Sequence, residues 1–144
     1  MTVKPIPEGA HTVTPYCTIP DVKQVLEFVE RAFDAKVVEA LPDANGNIRH
    51  ADVTIGDSHV MFGRSSEQWP ARPGTLHLYV ENCDEWYRRA MEAGGKSLRE
   101  PTTEFYGDRS AGVVDPQGNQ WWMATHVEDV TPEEMERRAA QQWK

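Results

Sequence analysis

The chain of 144 residues has no apolar run near the roughly 18–20 residues that cross a bilayer, and its first nine residues carry two prolines and no apolar signal core. Both absences point to a cytoplasmic protein. Cysteine is scarce: Cys17 and Cys83 are the only two, and they fit neither a C-x-x-C nor a Cys/His zinc spacing. Two thiols cannot build a disulfide framework, so both are expected to be small buried apolar groups. Positive charge is in deficit, with 15 Lys and Arg against 23 Asp and Glu and a formal net charge of −8. The clustered positive surface that neutralises phosphates is therefore missing, which argues against nucleic acid and anionic membrane and leaves a small molecule as the expected partner. Several catalytic signatures are absent too. There is no Gly-x-Ser-x-Gly elbow, no Walker loop, no Rossmann glycine triplet after a strand and no cysteine nucleophile with a nearby histidine signal.

What is present is a pattern that occurs twice. After an extended arm, residues 1–9, the segment His11–Ile19 alternates as a strand, with Val13, Pro15, Cys17 and Ile19 on one face. Asp21 is a candidate N-cap for a helix whose stripe is Val22, Val25, Leu26, Val29, Ala32 and Phe33. Three strands follow at Lys36–Leu41, Ile48–Ile55 and Ser58–Gly63, separated by turn clusters at Pro42–Asn47 and Gly56-Asp57. Residues 64–73, with two serines and two prolines, read as a linker. The same order then begins again: a strand at Thr75–Val80, a helix capped by Asn82 and Glu85 and closed by Gly94-Gly95, and strands at Lys96–Glu100, near Gly112–Asp115 and at Asn119–Thr125. The inward stripe of that second helix is expected to be Cys83, Trp86 or Tyr87, Ala90 and Met91. Thr131 and Pro132 open a last helix within residues 128–144. The halves overlay without gaps at a shift of 61 residues, Thr14 on Thr75 and Met61 on Trp122. This predicts an α+β protein of two βαβββ modules, residues 10–63 and 74–127, with a C-terminal helix. Its sheets bury one face against the helices, and their polar faces line one shared concavity.

At this point the chain resembles the vicinal oxygen chelate superfamily of glyoxalase I, bleomycin-resistance proteins and extradiol dioxygenases. The segments His11-Thr-Val-Thr-Pro-Tyr16, Ile48-Arg-His50-Ala-Asp52, His77-Leu-Tyr-Val80, Tyr106-Gly-Asp-Arg109, Asp115-Pro-Gln-Gly118 and Ala124-Thr-His126-Val-Glu128 look like its PhnB-like, glyoxalase-related branch, named after a phosphonate-utilisation operon. The resemblance implies a divalent ion held between the sheets by four residues, which fall here on Thr14, Met61, Thr75 and Trp122. None matches the His or Glu pattern, and a thioether and an indole are poor donors to Ni²⁺, Zn²⁺, Mn²⁺ or Fe²⁺, so no metal is expected at the usual positions. Relatives of this size pair or exchange modules, which implies a homodimer.

By strand alternation His50, Asp52, His77 and Tyr79 lie on the cleft face. Asp52 could orient an imidazole for acid/base work, or two histidines and a carboxylate could hold a displaced divalent ion; equally, all four could be hydrogen-bonded cleft liners. Arg109 is a candidate anion clamp, with Asp108 beside it suggesting a plain loop pin instead. Trp122, opposite Met61, can stack on a flat ligand or simply fill space, and Trp69, Phe105 and Tyr106 are candidate rim residues. His11, His59 and His126 read as structural histidines. Two functions follow: a small-molecule binder without turnover, working in the cleft between its modules, and, as the alternative, a lyase, isomerase or dioxygenase-type enzyme using the His/Asp cluster.

Overall fold

The structure is a computed structural model that describes residues 2–144. The first alternating segment enters a ladder only at β1, Tyr16–Ile19, shorter than the expected His11–Ile19. It runs beside β4, Ser58–Arg64, in parallel register from Tyr16↔Met61, and Thr18 forms an isolated antiparallel bridge with Arg72. One step further back stands Pro15, whose carbonyl still accepts from Met61 N at 2.9 Å but whose nitrogen has no hydrogen to give. Asp21 then caps α1, Val22–Phe33, by accepting from Gln24 N at 3.2 Å, and the helix buries the whole predicted stripe together with Phe28. β2, Lys36–Pro42, and β3, Ile48–Ile55, complete an antiparallel run with β4, giving the sheet order β1-β4-β3-β2.

The second half repeats this arrangement. β5, Thr75–Tyr79, leads to α2, Cys83–Glu92, capped by Asn82 accepting from Glu85 N at 3.1 Å. β6, Lys96–Thr103, β7, Asp108–Val114, and β8, Gln120–His126, form the second sheet in the order β5-β8-β7-β6. The inferred duplication is visible in the register. Tyr16 pairs with Met61 and His77 with Trp122, each residue of the second pair 61 positions after its counterpart. β6 passes through Pro101 with a register irregularity between Arg99 and Thr102, as a residue without an N–H requires. β7 starts earlier than the sequence suggested, because Asp108 pairs with His126 rather than belonging to a loop. α3, Pro132–Gln142, is capped by Thr131 and buries no side chain completely.

Both helices belong to one core. Phe33 of α1 stacks on Trp86 of α2 and also meets Trp121 of β8, while Phe62 of β4 approaches the same Trp121 from the other sheet. On α2, Cys83 and Ala90 are buried and Trp86 and Tyr87 pack against the core, but Met91 remains exposed, a correction to the expected stripe. α2 has polar residues at most of its other positions, so α1 rather than α2 supplies most of the helical apolar surface. Among the described residues no helix is long and apolar enough to cross a membrane.

Candidate functional site

Alternation sends Ala51, Val53 and Ile55 of β3 into the core, leaving His50, Asp52 and Thr54 on the other face. The two-residue turn at Gly56-Asp57 pairs Ile55 with Ser58, which sets Asp52 opposite Met61 and Thr54 opposite His59. His59 is thus the diagonal cross-strand neighbour of Asp52, on the same face. The imidazole closes that gap: Nδ1 lies 2.9 Å from Asp52 Oδ1 and 3.2 Å from Oδ2, with both side chains about five-sixths buried (17% and 16% exposed). A carboxylate only accepts, so Nδ1 carries the hydrogen, and in the neutral ring Nε2 is left with a free lone pair. Asp52 does orient an imidazole, but that of His59, which its sequence pattern marks as a structural histidine. His50 instead stacks beside Tyr16, with ring centroids 5.8 Å apart and Tyr16 Oη 3.5 Å from Nδ1.

On β5, Leu76 faces the core while Thr75, His77 and Tyr79 face away. Tyr79 donates its hydroxyl to buried Asp108 at 2.8 Å, and this bond, with some desolvation, holds the phenol above its usual range. The other oxygen of Asp108 accepts from His126 Nδ1 at 2.8 Å, and His126 Nε2 reaches Asp129 at 2.7 Å. Bonded to a carboxylate on each nitrogen, His126 is held in its charged form above the ordinary histidine range, chiefly by Asp108. The rings of His77 and Tyr79 meet edge to face at 5.0 Å.

The expected single concavity is not what one chain builds. The outer face of the first sheet forms a hollow lined by Tyr16, Leu41, Arg49, His50, Gly63 and Trp69, all from the first module and the connection after it. The outer face of the second sheet forms another, of about 380 Å³, lined by His77, Arg99, Phe105, Tyr106, Trp122 and Trp143 with α3 at its edge. His50 and His77 therefore do not share a hollow: the modules meet through their helix-side core, and His50 lies only against the outer face of the first sheet. Trp122 lies against Gly112, where a side-chain carbon would come within 2.6 Å of the indole. Tyr16 covers Gly63 in the same way in the first sheet. Met61 sits across from Tyr16 and Asp52, half-buried on its strand.

Both modules contribute to a third space, a groove of about 620 Å³ at the seam between them. Its walls come from the arm at His11 and Val13–Pro15, the β3–β4 hairpin from Ile55 to Val60, the whole of β5 and Trp86. Thr14 and Thr75, which the repeat overlays, line it together, and so do His59, His77 and Tyr79. Arg109 does not. It points to the helix side, where its guanidinium donates to both carboxylate oxygens of Asp84 at 2.7 and 2.9 Å, so the anion clamp expected from the sequence is already closed on an internal partner. That pair holds Asp84 below the usual carboxylate range. Among the described residues no lysine or arginine lines the seam groove.

A profile of the Glyoxalase/Bleomycin resistance protein/Dioxygenase superfamily matches residues 10–123, spanning both modules and both sheets. The chain belongs to that superfamily. Among curated proteins it is 26% identical to the uncharacterized protein Mb0911c of Mycobacterium bovis over 141 residues, covering 90% of this chain and 93% of that one. Among solved structures it is similar to TioX from Micromonospora sp. ML1, with a TM-score of 0.72 and 23% identity over 82% of this chain and all of that one. It is also similar to a glyoxalase/bleomycin resistance protein/dioxygenase family enzyme from Burkholderia phytofirmans PsJN, with a TM-score of 0.66 and 16% identity over 79% and 97% of the two chains. At these identities the solved structures speak for the fold alone.

The divalent ion that such a fold implies does not fit the residues present. Thr14 and Thr75 offer uncharged hydroxyls and Met61 a thioether. The indole N–H of Trp122 can only donate, and does so to Gln120 Oε1 at 3.1 Å. Nor do His50, Asp52 and His77 gather into the displaced two-histidine, one-carboxylate set: among the described residues no three His, Cys, Asp or Glu side chains stand close enough to hold a metal.

Proposed function

We propose that the protein is a small-molecule binder of the glyoxalase/bleomycin-resistance type that takes its ligand in the seam groove between the two modules, without a metal at the usual positions. One observation carries this reading. The groove combines apolar walls from both modules, Val13, Ile55, Val60, Leu76 and Leu78 among them, with a few convergent polar groups from Thr14, Thr75, His59 and His77. About 620 Å³ is the size of a site for a drug-sized ligand, and sparse polar groups in an apolar wall set orientation. With Asp57 and Glu81 on the lining and no lysine or arginine, the favoured ligand is uncharged and amphipathic or aromatic rather than a phosphonate or other anion. Membership of the PhnB-like branch rests on the sequence segments alone and carries no claim of phosphonate chemistry.

A thermal-shift screen of uncharged planar aromatics, glycopeptides and phosphonates tests the reading. A ligand at a hundred times its Kd adds about 2.7 kcal/mol of stability, and the planar aromatics are expected to raise Tm while the phosphonates do not. Thr75→Trp, at an exposed position, should fill the groove and abolish the shift. A shift that survives this substitution would place the ligand elsewhere. We further propose that the protein works in the cytoplasm as a homodimer. Tyr16, Leu41 and Trp69, all more than 45% exposed, share the first sheet's outer hollow, an apolar surface a second copy can cover. Light scattering should report twice the mass of one chain; a monomer across micromolar concentrations would refute the pairing.

A further inference from the structure

We propose that Asp52 and His59 form a general-base dyad that removes a proton from carbon in an uncharged, planar substrate bound in the seam groove. The proposal rests on the groove being the ligand site and adds a reaction to it. Three observations support it. Asp52 fixes the ring through Nδ1 with a bifurcated contact at 2.9 and 3.2 Å, which sets the tautomer and leaves the basic lone pair on Nε2. Both partners are about five-sixths buried, so the pair is shielded by protein yet His59 still lines the groove. The arm passes beside the same atom, for a side-chain carbon at Gly9 would lie 3.9 Å from His59 Nε2. Buried carboxylate–imidazole pairs away from any groove are readily explained as sheet fasteners; one whose imidazole also lines a ligand-sized space is placed to act on what enters it.

The groove also selects the substrate class. Without lysine, arginine or a metal ligand set, it offers no strong charge to bind a carboxylate or phosphate or to stabilise a localised oxyanion. The chemistry it suits is therefore one in which negative charge is delocalised over the substrate itself or departs on a good leaving group. His77 of β5, which lines the same groove, adds a second imidazole able to donate to such a leaving atom.

The probe is 5-nitrobenzisoxazole. Nε2 takes the proton from C3, the C–H electron pair becomes the third bond of a nitrile, and the ring N–O bond breaks with its electron pair leaving as a coloured phenolate. No other reactant is needed. The wild-type chain should catalyse this elimination above the buffer rate, and His59→Ala should lower the enzymatic rate by about 100-fold, the usual worth of a positioned base. Added imidazole should restore part of it. Asp52→Asn removes the charge that stabilises the imidazolium and can present its amide N–H to Nδ1, so kcat should fall by at least about ten-fold with KM little changed. His59→Gln keeps the bulk and serves if the alanine variant does not fold. A His59→Gln rate within two-fold of wild type overturns the dyad. Binding of 6-nitrobenzotriazole, a planar non-reacting analogue, is followed by thermal shift in parallel. Stabilisation without elimination overturns the dyad alone, whereas neither stabilisation nor elimination overturns the dyad and counts against the groove.

Discussion

Phe33, the last residue of α1, lies nearly parallel to Trp86 of α2, with ring centroids 5.5 Å apart and planes at 17°. It is 1% exposed and also touches Trp121, so a single side chain joins both helices and the second sheet. Removing a buried phenyl ring costs about 3–5 kcal/mol. Phe33→Ala is expected to lose that much in urea unfolding while keeping one cooperative transition. Two separate transitions in the wild-type chain would show that the modules fold independently and that the shared core is not the unit of stability.

Asp115 is 4% exposed and accepts four hydrogen bonds, from Gln117 N at 2.8 Å, Asn119 N at 3.0 Å, Asn119 Nδ2 at 2.9 Å and Trp121 Nε1 at 2.9 Å. It converts the Pro-Gln-Gly turn into a fixed anchor for the core indole. Asp115→Ala strands these donors, one of them in the core, and should cost on the order of 3 kcal/mol. The denaturation midpoint should fall with its slope unchanged. A cost below about 1 kcal/mol would mean that water replaces the carboxylate.

The histidine held between two aspartates gives stability a pH dependence of known sign. His126 has its folded value raised, by Asp108 first and Asp129 second. Its contribution is therefore present in full below the unfolded histidine value of about 6.5 and is lost as pH rises through the folded one. Relative to wild type, His126→Gln should be destabilised most at pH 6 and least near pH 9. Melting curves across that range check it, and a gap that widens towards pH 9 would reverse the assignment.

Both thiols are buried, and burial is the main reason that each is held up, Cys83 to about 11 and Cys17 above its ordinary value. At pH 8 neither is a useful nucleophile. An aromatic disulfide reagent should titrate no thiol in the native protein and two after unfolding. Rapid reaction of one full equivalent in the native state would contradict the packing around Gly74, whose added carbon would lie 2.8 Å from Cys17 Sγ.

The superfamily segments were legible because turns and alternation are local. Asp21 and Asn82 cap their helices as read, and Ala51, Val53 and Ile55 are buried as read. The 61-residue repeat even carries the strand register. The Asp52–His59 contact was within reach of the same reasoning, since the Gly56-Asp57 turn fixes the register and His59 shares a face with Met61. Arg109 was not. Alternation alone places it on the helix side once β7 is known to begin at Asp108, but the Tyr106-Gly107 sequence reads as loop, which hid the strand start.

The amino-acid sequence by itself determined two βαβββ units, their caps, their buried faces and the poor metal donors at four overlaid positions, because each depends on residues near in the chain or on side-chain chemistry alone. Only the tertiary structure decided that the units share a helix-side core, that His50 and Trp122 lie in separate hollows, and that Thr14, Thr75, His59 and His77 meet along the seam. Those outcomes depend on how Phe33, Trp86 and Trp121 pack across about 90 residues of chain, and side-chain packing at that separation leaves no periodic trace in the sequence.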